Sequence, residues 1–372
     1  MSGRRRTCRC RRRGGRQATP SRSPPARPAT PRHGSSRNAG ATHPASRSRT
    51  GARRDRDARV VRLSAPSGRS LSRVLETAVN ISEGRDPRVL GALSAACGRA
   101  LLDRHDDADH HRSVFTLAST EPGVTEASAR RLVSVAAEDL SLDEHDGVHP
   151  RLGVVDVVPF VALTPTMPDV AVAAARAFAK WFASTWQVPV FLYGDADPGG
   201  RTLPDARREA FVHRAPDEGP AAPHHRLGAT AVGARAPLVA VNVELDGDDL
   251  DLARLVAREV RERDGGLEGV RALAFPLTSA GHAQVSMNLV DLRATGLERA
   301  CLEVRDRLAV RGAHVRRVEL VGLAPAAELA RCSEAFLTWA GISREDAIEA
   351  RAARADAAGP SASRAAGPGR QA

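Results

Sequence analysis

The chain has 372 residues, a formal net charge of +11 and 42% hydrophobic residues, enough for a real core and for two modest domains. No apolar run reaches the ~18–20 residues that a helical membrane span requires. The charge is uneven: residues 1–70 hold 20 Arg against two acids, Asp55 and Asp57, leaving 35 basic and 42 acidic residues beyond them. The body is therefore mildly acidic, and basicity is no argument for nucleic-acid binding by it.

Residues 1–70 are rich in Arg, Pro, Ser and Gly, from Arg4-Arg5-Arg6 to Arg53-Arg54. They have too few aliphatic residues to repay the entropy of folding, so this tail is expected to be disordered. Its open roles are a phosphate-binding arm, a targeting arm or an over-extended start. It lacks the apolar stretch of a secretory signal. The five cysteines, Cys8, Cys10, Cys97, Cys301 and Cys332, are odd in number and without metal-ligand spacing. That pattern points to a reducing cytoplasm.

Order is expected from about Leu71. Val74–Val79 reads as a strand, and Asp86-Pro87 opens a helix as N-cap and first helical residue. Ser113–Ala118 is a second strand, a helix covers about 122–138, and Val154–Val161 is an apolar, β-branched strand. An amphipathic helix carries Ala174, Ala177, Phe178, Trp181 and Phe182, Val188–Tyr193 is a strand, and a Gly/Pro-rich loop runs to about 226. In the second half, strand 238–245, helix 248–263, strands 270–277 and 282–290, helix 295–311 and strand 315–321 follow in turn. This β-α-β-β-α-β order is the ferredoxin-like pattern, and the first half begins in the same way. The expected fold is α/β (α+β): two ferredoxin-like βαββαβ subdomains, 71–235 and 236–345, between disordered tails 1–70 and 346–372.

Polar clusters break the periodic sequence, and such breaks are where functional sites are expected. The first runs from His105 through Asp106, Asp107, Ala108, Asp109, His110 and His111 to Arg112. As a set of imidazoles and carboxylates, His105, Asp107, Asp109, His110 and His111 suit a divalent metal in a hydrolase; taken alone, the same residues read more simply as a solvated polar loop. The second is His145-Asp146-Gly147-Val148-His149-Pro150-Arg151, where His149 has the titration range for proton exchange at neutral pH, or is a surface turn histidine. The third is Gly219-Pro220-Ala221-Ala222-Pro223-His224-His225-Arg226-Leu227-Gly228. Lastly, Gln284, Ser286 and Asn288 alternate onto one face of their strand, with Val285, Met287 and Leu289 on the other.

At these clusters the chain resembles the formiminotransferase (glutamate formimidoyltransferase) family. The matching stretches are Val79–Gly84, Asp107–Val114, His149–Gly153 with Asp156–Phe160, Val188–Gly194, Gly228–Arg235, Ala283–Leu289 and Leu320–Leu323, collinear over roughly 72–330. The resemblance implies two ferredoxin-like subdomains with substrates bound between them. The implied reaction moves a formimino group from N-formimino-L-glutamate to N5 of tetrahydrofolate as co-substrate, without a metal. It implies His149 as acid/base, Gln284 as a second catalytic residue and Gly219–Gly228 as the folate loop. His105, Arg112 and Arg151 are implied at the glutamate end. A homodimer follows from it too; a cytoplasmic location is expected from the cysteine pattern, and no membrane association from the lack of a long apolar run. The chain ends short of the cyclodeaminase domain fused in some animal members, so transfer without cyclodeamination is expected. Departures from the family pattern fall at Asp146, Val148, Pro223 and Leu227.

Overall fold

The computed structural model describes residues 74–143, 145–147, 149–163, 168–277, 280–358 and 370–371. The tail expected at 1–70 lies outside the described residues, as do Val148 and the residues between 358 and 370. Within them the chain is mixed α/β, with two sheets and nine α-helices.

The first half runs β1 (Leu75–Ile81), α1 (Pro87–Cys97), β2 (Leu101–Asp107), β3 (Arg112–Ser119), α2 (Pro122–Asp139), β4 (Val155–Ala162), α3 (Pro168–Trp186), β5 (Val190–Gly194), α4 (Leu203–Glu209) and β6 (Thr230–Ala234). Asp86 caps α1 through the N–H groups of Arg88 and Val89, with Pro87 in the first turn, as the sequence led us to expect. The sheet order is β2-β3-β1-β4-β6-β5; the first four strands pair antiparallel, while β6 and β5 continue parallel to β4. A two-residue strand β11 (Arg370–Gln371) pairs parallel with β2 at the outer edge. Residues of α1, α2 and α3 close over one face of this sheet, around Phe115, Phe160, Phe178 and Phe182.

The second half runs β7 (Val239–Leu245), α5 (Leu250–Val260), β8 (Val270–Leu277), β9 (His282–Leu289), α6 (Leu297–Ala309) and β10 (Val315–Val321), all antiparallel in the order β10-β7-β9-β8. Val241, Val243, Val285 and Met287 face α5 and α6 in a second core. Strand alternation then puts Asn242, Glu244 and Gln284 on the opposite face. All three are buried nevertheless. What covers them is the first half: His105 of β2 lies 3.8 Å from Glu319 of β10, and Phe275 of β8 packs against His110 at 4.7 Å between ring centroids. The two sheets thus meet through their polar faces. Asn242 and Arg317 hold Glu319 there, and Arg317 also donates to Glu244.

Three expectations are corrected. The polar cluster before Arg112 is not all solvated loop: Leu101–Asp107 is strand β2, and its buried side chains His105 and Asp107 are polar because they face the inter-sheet seam. The supposed loop from Gly194 to about 226 contains α4, started by a Thr202/Asp205 capping box. Residues from 346 do not fray at once. After α7 (Ala326–Arg331) and α8 (Glu334–Ala340), helix α9 (Ile348–Ala358) returns to the first sheet. Ile348 and Ala352 join Val74, Ala118 and Leu323 in a small core. The Asp356 carboxylate accepts from the Ser119 hydroxyl (2.9 Å) and the Thr120 N–H (2.8 Å). Cys97, Cys301 and Cys332 are buried free thiols. Among the described residues no helix is long and apolar enough to cross a membrane.

Candidate active site

Three connections converge at one end of the first sheet: the turn after β1, the β2–β3 hairpin and the segment entering β4. Glycine permits the contact. A Cβ at Gly84 would collide with the Asp107 carbonyl oxygen, and one at Gly147 with the His110 carbonyl and the His111 Cβ. Side chains then lock the turns. The Glu83 carboxylate accepts from the N–H groups of Arg85 (2.6 Å) and Asp86 (2.9 Å), and the Ser113 hydroxyl donates to the Glu83 carbonyl (2.5 Å).

Beneath them lies Asp156, 0% exposed in β4. One of its oxygens accepts from the Leu152 N–H at 2.8 Å; the other receives both Arg112 and Arg207. Burial alone would raise the Asp156 carboxyl, but the two guanidiniums and the Leu152 N–H outweigh it and hold the group below the usual carboxylate range. Arg112 is fixed further by the Asn80 side-chain oxygen, through Nε at 3.1 Å and Nη2 at 2.6 Å. Arg207, projecting from α4, also donates to the Pro150 carbonyl at 2.8 Å.

His149 sits against this cluster, half-buried. Its Nδ1 is 2.7 Å from the Pro150 carbonyl oxygen and 3.2 Å from Arg112 Nη1. One nitrogen cannot donate to the first and accept from the second in the same tautomer. The shorter contact selects Nδ1–H donating to Pro150, which leaves the Nε2 lone pair available as a base. Burial first, then the charges of Arg112 and Arg207, push the imidazole down to about 3, with Asp156 opposing. The ring is neutral at physiological pH.

The far wall comes from the second sheet. Phe275 lies edge-on to His110 at 4.7 Å and stacks near His149 at 6.2 Å between centroids. Gln284 is the cross-strand partner of Phe275 and only 1% exposed, yet neither its amide oxygen nor its amide nitrogen has a partner. A buried amide left so costs roughly 1–3 kcal/mol per unmet group, so it calls for a partner. On the near side, His111 stacks on His145 at 4.2 Å, and His145 Nε2 meets the His111 carbonyl at 2.9 Å.

The other sequence-derived candidates divide. Arg151 braces the segment from within, donating to the carbonyls of Gly147 and His149. His105 lies two residues before Asp107 on the same face of β2, turned to Glu319. Of the third cluster, Ala221, Ala222, Pro223 and His225 are exposed while Leu227 anchors its base in the core. Arg226 is engaged in closing α2, donating to the carbonyls of Ala137 (2.6 Å) and Glu138 (3.0 Å). His224 Nδ1 accepts from the Arg226 and Leu227 N–H groups, and its ring stacks on His225 at 4.5 Å. The 105–111 cluster does not close on itself: among the described residues no group of three or more His, Cys, Asp or Glu is placed to hold a metal ion. Asn80, Asp156, Arg207 and Phe275 were not singled out from the sequence. A charged Asp156 inside an apolar strand and the Thr202-Leu203-Pro204-Asp205 cap ahead of Arg207 were the available signals.

Such a site can take a proton at Nε2 of His149, receive anionic groups beside two half-buried arginines, and offer an amide to a polar reacting centre. The family model described as "Formiminotransferase domain, N-terminal subdomain" matches residues 74–235, and that described as "Formiminotransferase domain" matches 240–350. The chain is 35% identical to a glutamate formimidoyltransferase of Streptococcus pyogenes serotype M1, over 72% of this chain and 94% of that one. It is 32% identical to a glutamate formimidoyltransferase of Thermoplasma acidophilum, over 76% of this chain and 98% of that one. It is also 34% identical to a formimidoyltransferase-cyclodeaminase of Sus scrofa, over 68% of this chain and 51% of that one.

Proposed function

The chain belongs to the formiminotransferase family, whose members transfer one-carbon groups, and from that premise we propose that it moves the formimino group of N-formimino-L-glutamate to N5 of tetrahydrofolate, with His149 as general acid/base. The N5 nitrogen attacks the amidine carbon and loses a proton as the N–C bond forms. The glutamate nitrogen leaves and gains one as its C–N bond breaks. An imidazole anchored through Nδ1 presents Nε2 to both events. The observation that carries this reading is His149 itself: its Nδ1 is tied to the Pro150 carbonyl, its charge is suppressed beside Arg112 and Arg207, and it stands near the Phe275 wall.

The same reading assigns the remaining parts. Gln284 hydrogen-bonds the tetrahedral adduct, which supplies the partners its amide lacks. Arg112 and Arg151 are held by protein oxygens, so they draw the glutamate carboxylates through their field rather than through free donors, with His105 further along β2. The exposed residues of Gly219–Gly228 meet the folate, with His224 and His225 as its polar and stacking contacts. The two subdomains, divided near residue 235, are read as ferredoxin-like sandwiches, the first extended by parallel β6 and β5.

Turnover of formiminoglutamate with tetrahydrofolate by the full chain, wild type against His149→Ala, tests this. The variant is expected to lose about 10²–10⁴-fold in kcat with its melting temperature retained. Absent turnover in the wild type, or full turnover in a folded variant, refutes the proposal.

A further inference from the structure

Resting on that transfer reaction, we propose that His110, oriented by Asp107, is a further catalytic residue of the site and shares the proton traffic first given to His149 alone: His110 takes the proton from the attacking nitrogen, and His149 delivers it to the leaving one. Both carboxylate oxygens of Asp107 serve His110. One accepts from its backbone N–H at 2.7 Å; the other lies 2.9 Å from Nδ1. Both residues are only 8% exposed. A carboxylate on Nδ1 fixes the tautomer with its proton there, leaving Nε2 as an acceptor.

That Nε2 is buried and has no partner. A histidine kept only for packing would satisfy its second nitrogen or expose it. Instead the ring stands edge-on to Phe275 at 4.7 Å and 5.6 Å from the His149 ring, beside the strand pair that holds the unpartnered Gln284 amide. Unmet polar atoms from both sheets therefore gather around one apolar ring next to His149.

The chemistry has room for two imidazoles. As the N5–C bond forms, the N5 proton passes to His110 Nε2. By way of His149 it reaches the glutamate nitrogen as the C–N bond breaks, so one proton travels from one nitrogen to the other and both rings return to neutral. The neighbours differ accordingly: His110 is oriented by the Asp107 carboxylate, and His149 faces two guanidiniums, which favour its giving up a proton.

The test is steady-state turnover of formiminoglutamate with tetrahydrofolate by the full chain carrying His110→Asn, Asp107→Asn or His110→Ala. His110→Asn is expected to lower kcat by about 10²-fold or more with both KM values within about threefold, and millimolar imidazole is expected to restore part of the His110→Ala rate. Asp107→Asn, which keeps the shape but removes the charge, is expected to lower kcat in the same sense. A folded His110→Asn or Asp107→Asn with wild-type kcat overturns the proposal, as does a loss confined to KM. Either result with an active wild type leaves the transfer reading intact; a wild type inactive on these substrates overturns that reading and this inference with it.

Discussion

Asp156→Asn tests the electrostatic centre of the site. The amide keeps the shape and can still accept from the Leu152 N–H, but it turns an NH₂ toward two guanidiniums that had shared one oxygen. Arg112 and Arg207 have side chains 13% and 20% exposed, so neither is rehydrated without moving. Breaking a buried ion pair by removing one partner costs about 3–5 kcal/mol. At roughly 2–4 °C per kcal/mol for a body of this size, the melting temperature should fall by roughly 10 °C. Calorimetry of the full chain at neutral pH measures it, with Asp156→Asn/Arg207→Gln as the relieving double variant that should recover part of the loss. The sign with pH follows from the lowered carboxyl: the stabilisation is complete above the unfolded value of about 3.9 and is lost as pH falls through the folded one. The deficit of the variant should therefore shrink in acid. A single variant melting within about 2 °C of wild type at neutral pH would refute the description of Asp156 as the counterion of both arginines.

Two further outcomes follow. Arg207→Gln removes one of the cations that, after burial, hold His149 down at about 3, so the titration midpoint of its Cε1 proton by NMR should rise; an unmoved or lower midpoint would contradict the assignment. Glu76, buried on β1, is pushed up to about 7, by burial first, with Glu349 adding and Arg235 opposing. Its folded value exceeds the unfolded one, so its contribution is greatest below about 4.3 and declines as pH rises through 7. Glu76→Gln should then melt several degrees above wild type at pH 8.5, reflecting a difference on the order of 1–3 kcal/mol, and close to it at pH 4.5. Equal melting at both pH values would sink this reading.

Much of the fold was legible because its elements obey simple periods. Asp86-Pro87 announced α1, and the apolar alternation of the second half marked β7 to β10 within a residue or two. Strand β2 escaped because its buried positions are occupied by His105 and Asp107, facing another polar sheet rather than a helix. Strand β6, Thr-Ala-Val-Gly-Ala, is made of small residues because the Tyr193 ring lies over Gly233, where a Cβ would meet it. In the site, His149 and the 107–112 hairpin were visible as polar interruptions. Asp156 was masked by the apolar residues around it, and nothing in the strand expected at 270–277 set Phe275 apart. Only the assembled sheets show that Phe275 is a wall of the polar cleft, since that depends on contacts across more than a hundred residues of sequence.

The return of α9 has a consequence for synthesis. Asp356 ties Ser119 and Thr120 from more than 230 positions away, and Arg351 reaches the Leu102 carbonyl at 3.2 Å. While the chain emerges from a ribosome, the first sheet can form its strands long before these partners exist. Val74 and Ala118 would remain open to solvent and to chaperones until Ile348 and Ala352 arrive. Contacts this distant close last, because the entropy of the intervening loop must be met before they contribute. Helix α9 is therefore a late closure of the first sheet, and a chain cut before residue 348 would keep an uncovered apolar seam at Val74 and Ala118.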